Sequence, residues 1–280
     1  MNRFGISTHL FHEHRLTREH LVHIAAHGFD AIELFATRTH FDYHDPAAID
    51  TLAGWLSETG LRLNSIHAPI TTSMMGGDWG EPYSNAASDA SQRQAAVRET
   101  EAAMQIARRI PFAVMVVHLG TPTAKSRPGD NNRAAAFKSV EDIVRLAEPL
   151  RVRVALEVIP NELSTASALA TMIERDFESS NVGICMDFGH AHIMGDVADA
   201  VETAAEHLFT THVHDNRRRD DEHLVPYLGT INWDMALMTM QKIGYDDTYL
   251  LELANSGNPA GVLEGARRAR QRFERTLAQP

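Results

Sequence analysis

Eight short β-forming apolar runs, each followed by a longer stretch of helical periodicity, constrain the fold of this chain more than any other feature. The runs cover residues 3–8, 31–35, 62–67, 112–118, 152–158, 182–187, 209–214 and 248–253. Most are near-continuously apolar, as in FAVMVV and VRVAL, the pattern of parallel strands covered on both faces. Between the first two runs, Leu21, Ile24, Ala25 and Gly28 fall at helical spacing, with Gly28 as a stop. Asp45-Pro46 predicts an N-cap with proline at the first helical position. Ile49, Leu52, Ala53 and Leu56 then share a face, and Gly60 closes that helix. Further helices are expected over 86–110, 133–150, 165–177, 197–207, 233–243 and 260–277.

Strict β/α alternation predicts parallel topology. A doubly wound sheet is compatible with it, but a count of eight in 280 residues favours a (β/α)₈ TIM barrel. No linker interrupts the pattern, so residues 1–280 are expected to form one domain. The longest irregular segment, 69–85, follows the third run and would lie over the barrel mouth, where long loops serve as lids or substrate loops.

The runs also end in a distinctive way. Six of them finish on a metal-type ligand with a breaker soon after. The third ends SIHAP with His67, the fourth VVHLG with His118, and the fifth ALEVIP with Glu157. The sixth reads CMDFGHAH, with Asp187 and then His190. The seventh reads THVHDN, with His212 and His214 on one face, and the eighth ends LLELAN with Glu252. From His67 to Glu252 the spacing averages 37 residues, about one βα unit. In a barrel all these strand ends meet at the C-terminal mouth, where active sites sit. Crowded carboxylates repel unless something positive joins them. A divalent cation does so, and mixed oxygen and imidazole donors suit Mn²⁺, Zn²⁺, Co²⁺ or Fe²⁺ better than Ca²⁺; Mg²⁺ also stays open.

Histidine is abundant, at 16 residues. Most of those in the N-terminal third (His9, His12, His14, His20, His23, His27, His40, His44) are expected on exposed helix or loop faces. His192 and His214 read as outer supports or loop residues, and Cys185 as core packing. With one cysteine, no intramolecular disulfide can form. A net charge of −11 suits small substrates better than nucleic acid. No apolar stretch of 18 residues and no signal-peptide core is evident, which predicts a cytoplasmic protein without membrane partners. Self-association stays open.

ALEVIP, DFGHAH, HVHDN, DEHLVPYLGTINW and YLLEL together resemble the xylose-isomerase-like TIM barrels. That superfamily includes sugar-phosphate isomerases, ketose 3-epimerases, inosose and dehydroshikimate dehydratases and the endonuclease IV family. The resemblance spans nearly the whole chain, from FGIST to LLELAN. It implies a metal held by Glu157, Asp187, His212 and Glu252. It implies a sugar-like small-molecule substrate contacted by His190, with His67 and His118 as further contacts. In an isomerase or epimerase, Glu157 and Glu252 would exchange a proton next to a metal-bound carbonyl; a dehydratase would share that first step. Arg218, within Arg217–Arg219, and the cations Lys125, Arg127 and Arg133 would meet a phosphate if the substrate carries one. The endonuclease IV pattern, with three zincs, would add His67, His118, His190, Asp221 and His223. Against it, FGISTHL stands where that family has a GAHVS-like start, and ALEVIPNE where it has an ENT-type strand end. PYLGTINW also departs from the PGEG-I-[DN]-W of many isomerase-like members. A metal-bearing binding protein without turnover is the remaining alternative.

Overall fold

A computed structural model describes residues 3–75, 78–177, 181–255 and 257–278. Eight parallel strands form a closed barrel in chain order: β1 (Arg3–Ser7), β2 (Ala31–Phe35), β3 (Arg62–His67), β4 (Val114–Val117), β5 (Arg153–Glu157), β6 (Val182–Asp187), β7 (Leu208–Val213) and β8 (Thr248–Leu251). Closure pairs β8 with β1, from Arg3 opposite Thr248 to Ile6 opposite Leu251. The (β/α)₈ expectation therefore holds, and three strands match their expected bounds residue for residue. The others are shorter by one to three residues or shifted by one, so His118, His214 and Glu252 lie just beyond their strands.

The helices α1 (Arg18–Ala26), α2 (Pro46–Thr59), α3 (Ala90–Met104), α4 (Arg133–Ala147) and α5 (Ala166–Asp176) follow the first strands. α6 (Phe188–Met194), α7 (Val197–Ala204), α8 (Trp233–Lys242) and α9 (Pro259–Leu277) complete the ring. The Asp45 cap accepts from the Ala47 amide, and Gly60 takes the left-handed conformation (φ 71°) that ends α2. α3 starts at Ala90, four residues later than expected, because Asp89 caps the amides of Ser91 and Gln92. Apolar helix faces pack on the outside of the strands in one continuous core. Among the described residues, no helix is long and apolar enough to cross a membrane.

Three differences from the sequence reading matter at the mouth. The 69–85 segment contains a small antiparallel hairpin pairing Met74 with Trp79 and Met75 with Asp78; residues 76–77 lie outside the described residues. The Thr39 hydroxyl holds it by bonding both the amide and the carbonyl of Met74. Next, α6 was not anticipated. Its GHAH composition is weakly helical, but Asp187 ends β6 and caps the His190 amide at 2.7 Å. Finally, His9, His12 and His40 are buried rather than exposed. A 3₁₀ turn at Thr8–Phe11 folds back over the mouth, so the His9 Nδ1 lies 3.2 Å from the Leu253 carbonyl and its ring 4.7 Å from that of His223.

Candidate metal centre

Alternate residues of a strand face the lumen, so the side chain two places before a mouth residue lies one layer below it. Beneath His118, Glu157 and Asp187 lie Val116, Ala155 and Cys185, which form a small apolar cluster. On this side the mouth residues thus stand on an apolar floor, where charge interactions are strong and unpaired charge is costly.

Among the described residues, donor atoms converge there in four groups, one of which joins Glu157 and His212 to the Cys185 thiol of the floor. In the central one, Glu157, Asp187, His212 and Glu252 place one donor atom each within 4.8 Å of one another. His212 Nδ1 is 3.3 Å from Glu157, 3.4 Å from Glu252 and 3.9 Å from Asp187. The parallel register sets Asp187 beside His212. A second group shares Glu157 with His67 and His118, whose Nε2 atoms lie 3.3 and 3.1 Å from its Oε2. The third, on one flank, joins His190, His214, Asp221 and His223. Asp221 Oδ2 is 3.1 Å from His190 Nε2 and 3.2 Å from His223 Nε2. His214, read from sequence as peripheral, is fully buried and bonds Asp187 at 3.0 Å. Gly189 makes room for it: a Cβ there would come within 2.0 Å of the His214 ring.

Hydrogen bonds reveal which nitrogen each ring offers. The Nδ1 atoms of His67, His190 and His223 sit 2.8, 3.0 and 3.0 Å from the carbonyls of Ala68, Val158 and Glu252. A carbonyl only accepts, so each Nδ1 carries its proton and Nε2 is the nitrogen turned toward the donor groups. His212 is reversed. Its Nε2 meets the Glu33 carboxylate at 3.1 Å, and Nδ1 faces the carboxylates of the central group.

The electrostatics have one cause throughout: buried negative charge. Burial pushes the Glu157 carboxyl up, but His118 and His212 beside it hold it well below the usual range. Burial likewise opposes charging of His212, yet Cys185, Glu252, Glu33 and Glu157 together carry it well above its ordinary value. His223 is raised to about 9, burial being outweighed by Asp221. Such carboxylates need protons on the imidazoles or a cation among them. Both Glu157 oxygens and His212 Nδ1 are buried and make no hydrogen bond of proper geometry, although they face one another. Buried polar atoms rarely stay unpartnered. Oxygen and imidazole donors aimed at a common point fit a divalent cation.

Every strand-end residue singled out by sequence thus takes part in these groups. Arg218 does not. Its guanidinium bonds the Gly195 carbonyl at 2.8 Å and His192 Nδ1 at 3.4 Å, and it lines a separate groove of about 270 Å³ with Asp196, Thr230 and Asn232. Glu33 was missed. It lies inside a strand rather than at its end, and the available signal was a carboxylate in the middle of the apolar run AIELF.

A family model described as "Xylose isomerase-like TIM barrel" matches residues 21–273. An uncharacterised protein of Methanocaldococcus jannaschii is 30% identical over 264 residues, covering 90% of this chain and 84% of that one. Inosose isomerase of Bacillus licheniformis is 28% identical over 134 residues, 43% of this chain and 47% of that protein. Among solved structures, a D-tagatose 3-epimerase-like protein superposes with a TM-score of 0.79 at 27% identity, covering 99% of this chain and 100% of that one.

Proposed function

The chain belongs to the xylose isomerase-like TIM barrel family, and we propose that it is a divalent-metal-dependent isomerase or epimerase of a sugar, a sugar phosphate or a related polyol. The observation that carries this reading is the convergence of Glu157, Asp187, His212 and Glu252, from four successive strands, within 4.8 Å. The likeness to inosose isomerases and to a 3-epimerase-like structure supports it.

A cation in the central group would supply Lewis acidity to a substrate carbonyl and the hydroxyl beside it. Glu157 and Glu252 enter from β5 and from the end of β8, so they flank a bound substrate from different sides. One takes the proton next to the carbonyl, and the other returns a proton to the same or the neighbouring carbon. His190, held at Nδ1 by Val158, presents Nε2 to orient a hydroxyl. His67 and His118 offer their Nε2 atoms from the other side. The hairpin carrying Trp79 stands over this mouth, with its ring 6.4 Å from that of His12, and shields the proton transfer from bulk water. A β-elimination would start with the same proton removal, so a dehydratase of a cyclic polyol or keto acid uses the same residues.

Glu157→Gln and Glu252→Gln are each expected to slow exchange of substrate carbon protons with solvent deuterium by on the order of 10²–10⁴, with thermal unfolding little changed. Unimpaired exchange in either variant would sink the acid–base assignment. A second reading, phosphoester cleavage at an abasic site, is favoured by one observation: the two flanking donor groups are complete and one shares Glu157 with the centre. Metal analysis separates the two. About one metal per chain supports the isomerase; three zincs with cleavage of abasic DNA support the nuclease. No exchange and no cleavage across sugars, inositols, keto acids and abasic DNA would leave a metal-bearing binding protein.

A further inference from the structure

We infer that Glu33 is the positioning residue that decides which nitrogen His212 turns toward the metal. This rests on the metal-centre reading above and adds a residue outside the donor set.

Glu33 is fully buried in the barrel lumen. The β2–β3 register shifts between Ile32 and Glu33, so Glu33 pairs with Ser65, while on its other side it pairs with Ser7. Both serines bond it: Ser7 donates to Oε1 at 3.1 Å and Ser65 to Oε2 at 2.9 Å. His212 Nε2 lies 3.1 Å from the same carboxylate. An ionised carboxylate can accept from all three, whereas a neutral acid would spend one oxygen on its own proton. Three donors offset the cost of burying the charge.

The geometry fixes the tautomer. With Nε2–H donated to Glu33, Nδ1 is the nitrogen left to face Glu157, Asp187 and Glu252, and it is the one that gives up its proton when a cation enters among them. His67, His190 and His223 are each anchored at Nδ1 by a neutral backbone carbonyl. His212 differs from them: among the described residues nothing bonds its Nδ1, and its Nε2 is held by the Glu33 carboxylate. A charged acceptor orients the ring more firmly and raises its basicity as a ligand. The two serines in turn hold Glu33, tying β1, β2 and β3 to a ligand on β7, across the barrel.

Zinc titration of the full chain against a chromophoric chelator tests this, with His212→Ala marking the binding event of the central group. Glu33→Gln keeps shape and one acceptor but removes the charge. It is expected to weaken that event about tenfold to a hundredfold, while other zinc-binding events and metal-free thermal unfolding stay near wild type. Long-range ¹H–¹⁵N spectra of the zinc-loaded wild-type protein give an independent readout. They should show His212 protonated at Nε2 with Nδ1 shifted by the metal. Unchanged zinc affinity in Glu33→Gln, or zinc at Nε2 of His212, overturns the inference alone. Absence of zinc uptake by the wild type overturns the metal centre itself. Should Glu33→Gln not fold, the wild-type spectra still decide.

Discussion

The central and flank donor groups face the same mouth but are built differently. All four central residues are buried, and they stand on or just past β5 to β8. Strand hydrogen bonding therefore places them, and neighbouring register brings Asp187 beside His212. The flank group draws Asp221 and His223 from the long loop after β7, and the Asp221 side chain is 35% exposed. What holds that loop is another buried carboxylate. Asp215 accepts from the Tyr227 and Ile231 amides and from the Trp233 indole at 2.8–3.1 Å. His223 is then clamped to the end of β8 through the Glu252 carbonyl. Barrel closure specifies one group; a loop folded around one side chain specifies the other. Metal affinity at the flank should therefore be the easier of the two to remove.

Removing the loop's anchor is the strongest challenge to that contrast. Asp215→Ala leaves several buried donors without an acceptor, at a cost of about 3 kcal/mol. Calorimetric unfolding should record the loss, and zinc binding at the flank should fail while the central group still loads. Failure of both together would show that the loop supports the whole mouth. Asp221→Asn is milder, because the Asp215 anchor of the loop is untouched. Zinc titration should show loss of the flank event, with the central affinity within about threefold of wild type. A parallel fall at the centre would show the groups to be coupled. The smallest effect is in pH. His223 is raised from 6.5 to about 9 in the metal-free chain. Its charged form therefore stabilises the fold fully below pH 6.5, and that contribution is lost as pH rises through 9. Zinc has to displace the same proton. Flank affinity should rise with pH by up to about tenfold per unit for this one proton, read by zinc titration across the range below pH 9.

The strands and their terminal donors were legible because both follow from short-range regularities. Apolar runs of β length mark the strands, and a ligand-type residue followed by a breaker marks each exit. Only small boundary errors resulted. His118 and Glu252, for instance, lie just past a strand rather than within it. The short helix after Asp187 was hidden because its residues have little helical preference; a cap and tertiary packing stabilise it instead. His9 and His12 were misjudged because nothing in their local spacing announces a 3₁₀ turn folding over the mouth. Nor did the sequence reveal where Arg218 points: its backbone is left-handed (φ 69°), and its guanidinium turns toward Gly195 and His192 rather than toward the donor groups.

By itself, the sequence determined the barrel and the order in which Glu157, Asp187, His212 and Glu252 arrive at its mouth, because a twofold side-chain alternation and a repeated βα unit are properties of neighbouring residues. Only the tertiary structure decided that Asp221 and His223 fold back beside His190, and that Glu33 on β2 anchors His212 on β7. Those partners are 31 and 179 residues apart for the pairs Asp221–His190 and Glu33–His212. What joins them is lateral register around the closed barrel, including the one-residue shift at Ile32/Glu33, and no local pattern records how strands separated by hundreds of atoms of chain will align.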